Sequence, residues 1–80
     1  MHIAVDISLY PLSEGYIPPI KEFIARIAAR RGLQVATNAM STQVSGELAV
    51  VMPALQEEMA ATFGASHRSV FVMKVLGGGG

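Results

Sequence analysis

The sequence predicts an α+β domain built in the order β-α-β-β-α-β, and three observations carry that expectation. Apolar residues alternate with period two in the opening segment and in two short central runs. They recur every three or four positions in two longer stretches. A run rich in β-branched residues comes near the end.

From His2 to Tyr10, Ile3, Val5, Ile7 and Leu9 point one way while His2, Ala4, Asp6, Ser8 and Tyr10 point the other. This is the pattern of a half-buried strand. Pro11 stops it, and Pro11 to Tyr16 reads as a loop with a turn at Ser13-Glu14-Gly15. Pro18 and Pro19 suit the first turn of a helix, where their missing N–H groups are not needed. Ile20, Phe23, Ile24, Ile27 and Ala28 form its apolar stripe, with Lys21, Glu22, Arg26, Arg30 and Arg31 on the remaining faces and Gly32 as the stop.

Leu33 to Asn38 and Ser41 to Gly46 alternate again around a short turn at Ala39-Met40, which makes them a hairpin. Leu48 to Phe63 is a second helix with Leu48, Val51, Met52, Leu55, Met59 and Phe63 on one stripe, closed by Gly64. Pro53 is tolerated there if the regular helix starts near Val50, and otherwise kinks it. Ser69 to Leu76 is a final strand, apolar on both faces. Two helices must cover one face of the resulting four-stranded antiparallel sheet. Chain connections favour a ferredoxin-like βαββαβ sandwich with spatial strand order 4-1-3-2. Residues 1–76 are expected to form a single domain, with Gly77 to Gly80 as a flexible tail.

The 80 residues are 51% apolar and 15% charged, and six acids offset six bases. Disorder does not fit that composition, and a chain without excess cation is not expected to bind nucleic acid. The absence of cysteine removes disulfides, thiolate zinc sites and thiol nucleophiles. The longest uncharged internal stretch, Gly32 to Gly46, is too short and too polar to insert in a membrane, and no export signal opens the chain. The expected location is cytoplasmic. So little charge also implies that part of the surface is covered by a ligand or another subunit.

The topology gathers residues that are distant in sequence. Ser8, Tyr10, Thr37, Asn38, Ser41, Thr42, Gln43, His67 and Arg68 converge at one end of the sheet. Thr37 and Thr42 share the helix-facing side with Val35 and Val44, where their hydroxyls need partners from the backbone or from a ligand. Ser8, Tyr10, Asn38, Ser41 and Gln43 share the open side with Ala4 and Ala36, a surface suited to packing against a second copy.

Each residue also has a purely structural reading. The two threonines can be ordinary strand residues, Tyr10 a packing ring, Asn38 a turn residue, and Ser8, Ser41 and Gln43 dimer contacts. Asp6 is expected to pair with Lys74 on the neighbouring strand. Met40, Met52, Met59 and Met73 are expected to fill core gaps. His2 and His67 fall at opposite sheet ends and cannot share a metal, while Gly46 serves a strand-to-helix bend rather than a phosphate. No catalytic set or metal-spaced cluster is visible, so neither catalytic residues nor metal ligands are expected.

The segments Ile7-Ser8-Leu9-Tyr10-Pro11-Leu12 and Met40-Ser41-Thr42-Gln43-Val44-Ser45-Gly46-Glu47, set on either side of a helix, resemble the YkoF-like thiamine/hydroxymethylpyrimidine-binding family. The resemblance runs from about Ile3 to Val75, and Pro11, Thr42 and Gly46 keep the pattern of small thiamine-binding domains. It implies a non-catalytic domain, linked to thiamine uptake or salvage, that holds thiamine or its hydroxymethylpyrimidine moiety as ligand, with no cofactor. YkoF pairs two such domains in one chain, so a single-domain chain would act as a homodimer or dimer of dimers through the open sheet face.

On this reading Thr42, Ser8 and Thr37 recognise the pyrimidine, Met40 and Tyr10 wall it, and Asn38, Ser41 and Gln43 complete the site. Asp6 has a second reading, as the charge that offsets a cationic thiazolium. The alternatives are a ligand-free regulatory or structural oligomerisation domain and, more distantly, an enzyme of pyrimidine salvage.

Overall fold

Alternation along the first strand sets the layers of the molecule. A computed structural model describes residues 1–12, 17–65 and 68–78, and in it β1 (His2–Pro11) buries Ile3, Val5, Ile7 and Leu9 on one face. Next come α1 (Ile17–Ala28), β2 (Gln34–Thr37), β3 (Thr42–Glu47), α2 (Leu48–Ala65) and β4 (Ser69–Gly77). The sheet order is β2-β3-β1-β4 and every neighbouring pair is antiparallel, as the sequence predicts. The core joins the inward residues of β1 to Val44, to Phe23 and Ile27 of α1, and to Val51, Ala54 and Leu55 of α2. Phe71 of β4 lies 5.0 Å from the Phe23 ring and 5.5 Å, edge-on, from Phe63, which ties both helices to the sheet edge. Among the described residues no helix is long and apolar enough to cross a membrane.

Several boundaries and faces depart from the sequence expectation. The first helix ends at Ala28, where Ala29 N–H is shared between the carbonyls of Ala25 and Arg26 and Arg30 N–H turns back to Ile27. That tightened last turn leaves Arg30 and Arg31 outside the helix. Gly32 then adopts a left-handed φ of 82°. Its carbonyl abuts Gly46, where an added Cβ would sit 2.7 Å from that oxygen, so the bend into α2 demands glycine for a backbone contact.

The second helix carries Pro53 in its interior from a start at Leu48 and runs through Gly64 to Ala65. Of its expected stripe Val51 and Leu55 are buried and Met52 and Met59 pack on the core, but Leu48 and Phe63 are exposed and Ala54, Glu58 and Thr62 are buried instead. The rotation follows from charge. Glu58 accepts from Arg26 Nε at 2.6 Å and from Arg30 Nε at 2.8 Å, so two cations expected to face solvent cross to α2 and neutralise a buried carboxylate.

Met52, Met59 and Met73 pack on the core, but Met40 is exposed on the hairpin turn and fills no core gap. Gly77 continues β4 opposite Ile3, so the strand takes in the first glycine of the expected tail. The turn expected at Ser13-Glu14-Gly15, and His67, lie outside the described residues.

Candidate functional site

Unequal strand lengths create the site. β3 begins at Thr42, opposite Ile7, whereas β1 runs on through Ser8, Leu9 and Tyr10 to Pro11, paired only with β4. A notch therefore opens beside the end of β1, on the side where β3 has stopped.

Backbone direction adds polar groups to that notch. In a central antiparallel strand, successive residues aim their N–H and C=O at alternate neighbours. Leu12 N–H donates to Arg68 carbonyl in the β4 direction, and Leu48 N–H donates to Met1 carbonyl in the β3 direction. Even-numbered residues of β1 thus serve β4 and odd-numbered ones serve β3. Leu9, buried in the core layer, directs its donor and acceptor toward a place where no strand of the described residues lies opposite. Pro11, which has no donor, occupies the next odd position, where none is needed.

Side chains close the notch into a cavity of about 160 Å³. Ile20, Phe23 and Ile24 of α1 line one wall, Ile7 to Tyr10 another, and Thr37 to Thr42 the end. Among the described residues no charged side chain lines it. The Thr37 and Thr42 hydroxyls lie 3.1 Å apart across β2 and β3, with Thr42 buried and Thr37 exposed. Asn38 Oδ1 accepts from the amides of Met40 at 2.7 Å and Ser41 at 3.0 Å, the self-bonding of an Asx turn. Its side chain is committed to holding the turn in shape.

The structure brings Ser8, Tyr10, Thr37, Asn38, Met40, Ser41 and Thr42 together around this cavity. Gln43 is not among them. It faces the open side of the sheet in a row with Ala36, Asp6 and Lys74.

Asp6 forms the expected ion pair with Lys74, its register partner on β4, and makes closer contacts besides. Its nearest partners are the Ser41 hydroxyl and, at 3.2 Å, the Gln43 amide, whereas the exposed Lys74 ammonium is 3.7 Å from the other carboxylate oxygen. Those contacts, Ser41 first and Gln43 next, hold the Asp6 carboxyl below its ordinary pKa. Sequence reasoning assigned Ile20, Phe23 and Ile24 to the core alone and did not single out the Leu9 backbone. Only the strand register reveals that pairing stops at Ile7. Among the described residues no three acidic or histidine side chains gather to hold a metal.

A search of curated proteins finds no match. Among solved structures, a hypothetical protein from Methanocaldococcus jannascii matches with 26% identity and a TM-score of 0.81, over 95% of this chain and 79% of that one. A protein from Streptococcus pneumoniae matches at 20% identity and a TM-score of 0.89, over 98% and 88% of the two chains. A candidate thiamine biosynthesis/salvage protein from Thermotoga maritima matches at 21% identity and 0.83, over 94% and 82%. The latter two establish likeness of fold. The model describing thiamine-binding proteins matches residues 5–76, nearly the whole described sheet and both helices, and the chain belongs to that thiamine-binding protein family.

Proposed function

We propose that this chain binds thiamine, through its hydroxymethylpyrimidine ring, in the cavity at the end of β1, without converting it chemically. The observation that carries the reading is a cavity of about 160 Å³ whose lining, among the described residues, is uncharged. An engineered apolar cavity of about 150 Å³ holds one benzene ring, so this volume suits a single substituted pyrimidine and leaves a second ring outside. Ile20, Phe23 and Ile24 supply apolar walls, and few polar groups are needed to orient the ring. The Leu9 N–H and C=O form a donor–acceptor pair that matches a ring nitrogen beside an exocyclic amine. Thr37 and Thr42 share one hydrogen bond, which leaves one hydroxyl proton for the ligand. Ser8, Ser41, Tyr10 and Met40 border the mouth, whereas Gln43 acts from outside it.

The chain acts as a homodimer or larger assembly packed through the open sheet face. Tyr10, Val70, Val72 and Leu76 are exposed there, and the central row carries both Asp6 and Lys74, so two copies related by a two-fold axis meet with complementary charge. The same exposed face is the observation that favours the second reading, an oligomerisation domain without ligand. A cytoplasmic role in thiamine uptake or salvage accords with the first.

Titration calorimetry with thiamine and with hydroxymethylpyrimidine separates the two. The first reading expects saturable heat from both. The second expects none at millimolar ligand with folded protein.

A further inference from the structure

We propose that β4 is a docking edge, along which a second copy of this chain lays its own β4 antiparallel, in a register centred on Met73. The two sheets then join into one. This contact is separate from packing through the open sheet face, and it depends neither on that packing nor on a ligand.

The register of the sheet shows what the edge offers. Leu12 N–H donates to the Arg68 carbonyl, so by alternation the even-numbered residues from Val70 to Leu76 exchange their hydrogen bonds with β1. Between them, Phe71, Met73 and Val75 direct N–H and C=O away from β1, to a side where no strand of the described residues lies. Folded proteins blunt such an edge by keeping it short or by placing proline, a bulge or charges on it. β2, at the other edge, is four residues long. β4 runs for nine, has no proline and stays in unbroken register with β1 from Ser69 to Gly77. Its one charge, Lys74, lies on the open face and already meets Asp6.

The side chains say which strand fits. A two-fold axis at Met73 sets Phe71 of each copy opposite Val75 of the other, so the outward N–H groups meet outward carbonyls. Val75 shares the face of the buried Val5, yet the helices leave it exposed. Phe63, also exposed, lies edge-on to Phe71. The axis brings Val75 of one copy to Phe71 of the other, beside Phe63, and covers apolar surface on both. On the open side Val70 meets Leu76, and each Lys74 stands opposite Val72. Shifting the axis by one residue would set the two lysines directly opposite each other, which costs stability. β4 is thus its own complement, a match that a second copy supplies and an unrelated extended peptide does not.

Amide hydrogen exchange on the purified chain, read residue by residue, tests the pairing. β1 protects the amides of Val70, Val72, Lys74 and Leu76 in any folded chain, whereas those of Phe71, Met73 and Val75 are protected only if a strand covers the edge. Val75→Lys puts a charge opposite Phe71 of the other copy, on the side away from the open face. At millimolar protein, the Phe71 and Met73 amides are expected to exchange at least about 100-fold more slowly in the wild type than in Val75→Lys. The even-numbered amides should be protected in both proteins, which shows that the variant is folded. A variant-free measurement uses wild type mixed from isotope-labelled and unlabelled copies, where nuclear Overhauser contacts between copies are expected from Phe71 to Val75. Fast exchange at Phe71 and Met73 in folded wild type overturns the proposal and leaves the edge to a different strand. Protection that survives Val75→Lys, or absence of the contact between copies, overturns it equally. None of these results bears on the cavity, which calorimetry reads separately.

Discussion

The hydroxyls of Thr37 and Thr42 meet at 3.1 Å across the β2–β3 pair, one exposed at the mouth of the cavity and the other buried at its floor. Two hydroxyls sharing one hydrogen bond keep one proton and several lone pairs for a third partner, which is what a ring with nitrogens in its plane requires. Thr42→Val preserves the shape of the buried side chain and removes that capacity. Thr37 remains able to bond water, so the melting temperature should change little. Affinity for hydroxymethylpyrimidine should fall by about 10-fold in calorimetry. Unchanged affinity would take Thr42 out of the site.

The contact between Arg26, Arg30 and Glu58 supports a prediction about stability rather than binding. Glu58 is almost fully buried, and removing it leaves Arg26 without a carboxylate and Arg30 with only its longer contact to the exposed Glu57. Glu58→Ala should cost about 2 kcal/mol, below the range for fully buried pairs because both arginines keep some water contact. Urea denaturation measures it.

Protonation should have a related effect. Burial works to raise the Glu58 pKa, but the contacts with Arg26 and Arg30 outweigh it, so the carboxyl sits below its unfolded value of 4.5. A group whose folded pKa is depressed contributes stability that is complete above the unfolded value and is lost as pH falls through the folded one. The urea midpoint of the wild type should therefore hold steady near neutral pH and drop below about pH 4.5. In Glu58→Gln the part of that drop due to this residue should disappear, so a drop of wild-type size in that variant would contradict the assignment.

The open face bears on self-association. Val72 is 52% exposed, stands opposite Ser8 in the register and projects beside the Asp6–Lys74 row. Val72→Lys should leave the fold intact and weaken self-association by at least about 10-fold, because it puts a charge in the apolar part of the face. Light scattering reads this directly. A wild-type mass of 8.5 kDa at working concentration would contradict the assembly itself.

Local periodicity made most of the fold legible. Ile3, Val5, Ile7 and Leu9 announce β1 and its buried side, and the two stretches with helical spacing announce what covers it. The departures have a common origin in long-range contacts that local pattern does not encode. Glu58 looks like a solvent residue until α1 brings two arginines to it, and that pairing rotates the buried stripe of α2 away from Leu48 and Phe63. Asp6 finds its lysine in register, as strand parity suggests, yet bonds more closely to Ser41, which the hairpin turn delivers. Of the candidate site, parity and topology anticipated the gathering of Thr37, Thr42, Ser8 and Tyr10. The notch itself depends on where β3 begins relative to β1, a register that no residue announces. The Leu9 backbone groups stayed hidden for the same reason, since their role comes from a missing neighbour.

Occupancy of the cavity beside Leu9 by a single pyrimidine ring is measured by calorimetric titration of the folded wild type with hydroxymethylpyrimidine, repeated with thiamine. Saturable binding of one ligand per chain is expected for both, with comparable affinity because the recognised ring is shared. No heat from either ligand at millimolar concentration would contradict it.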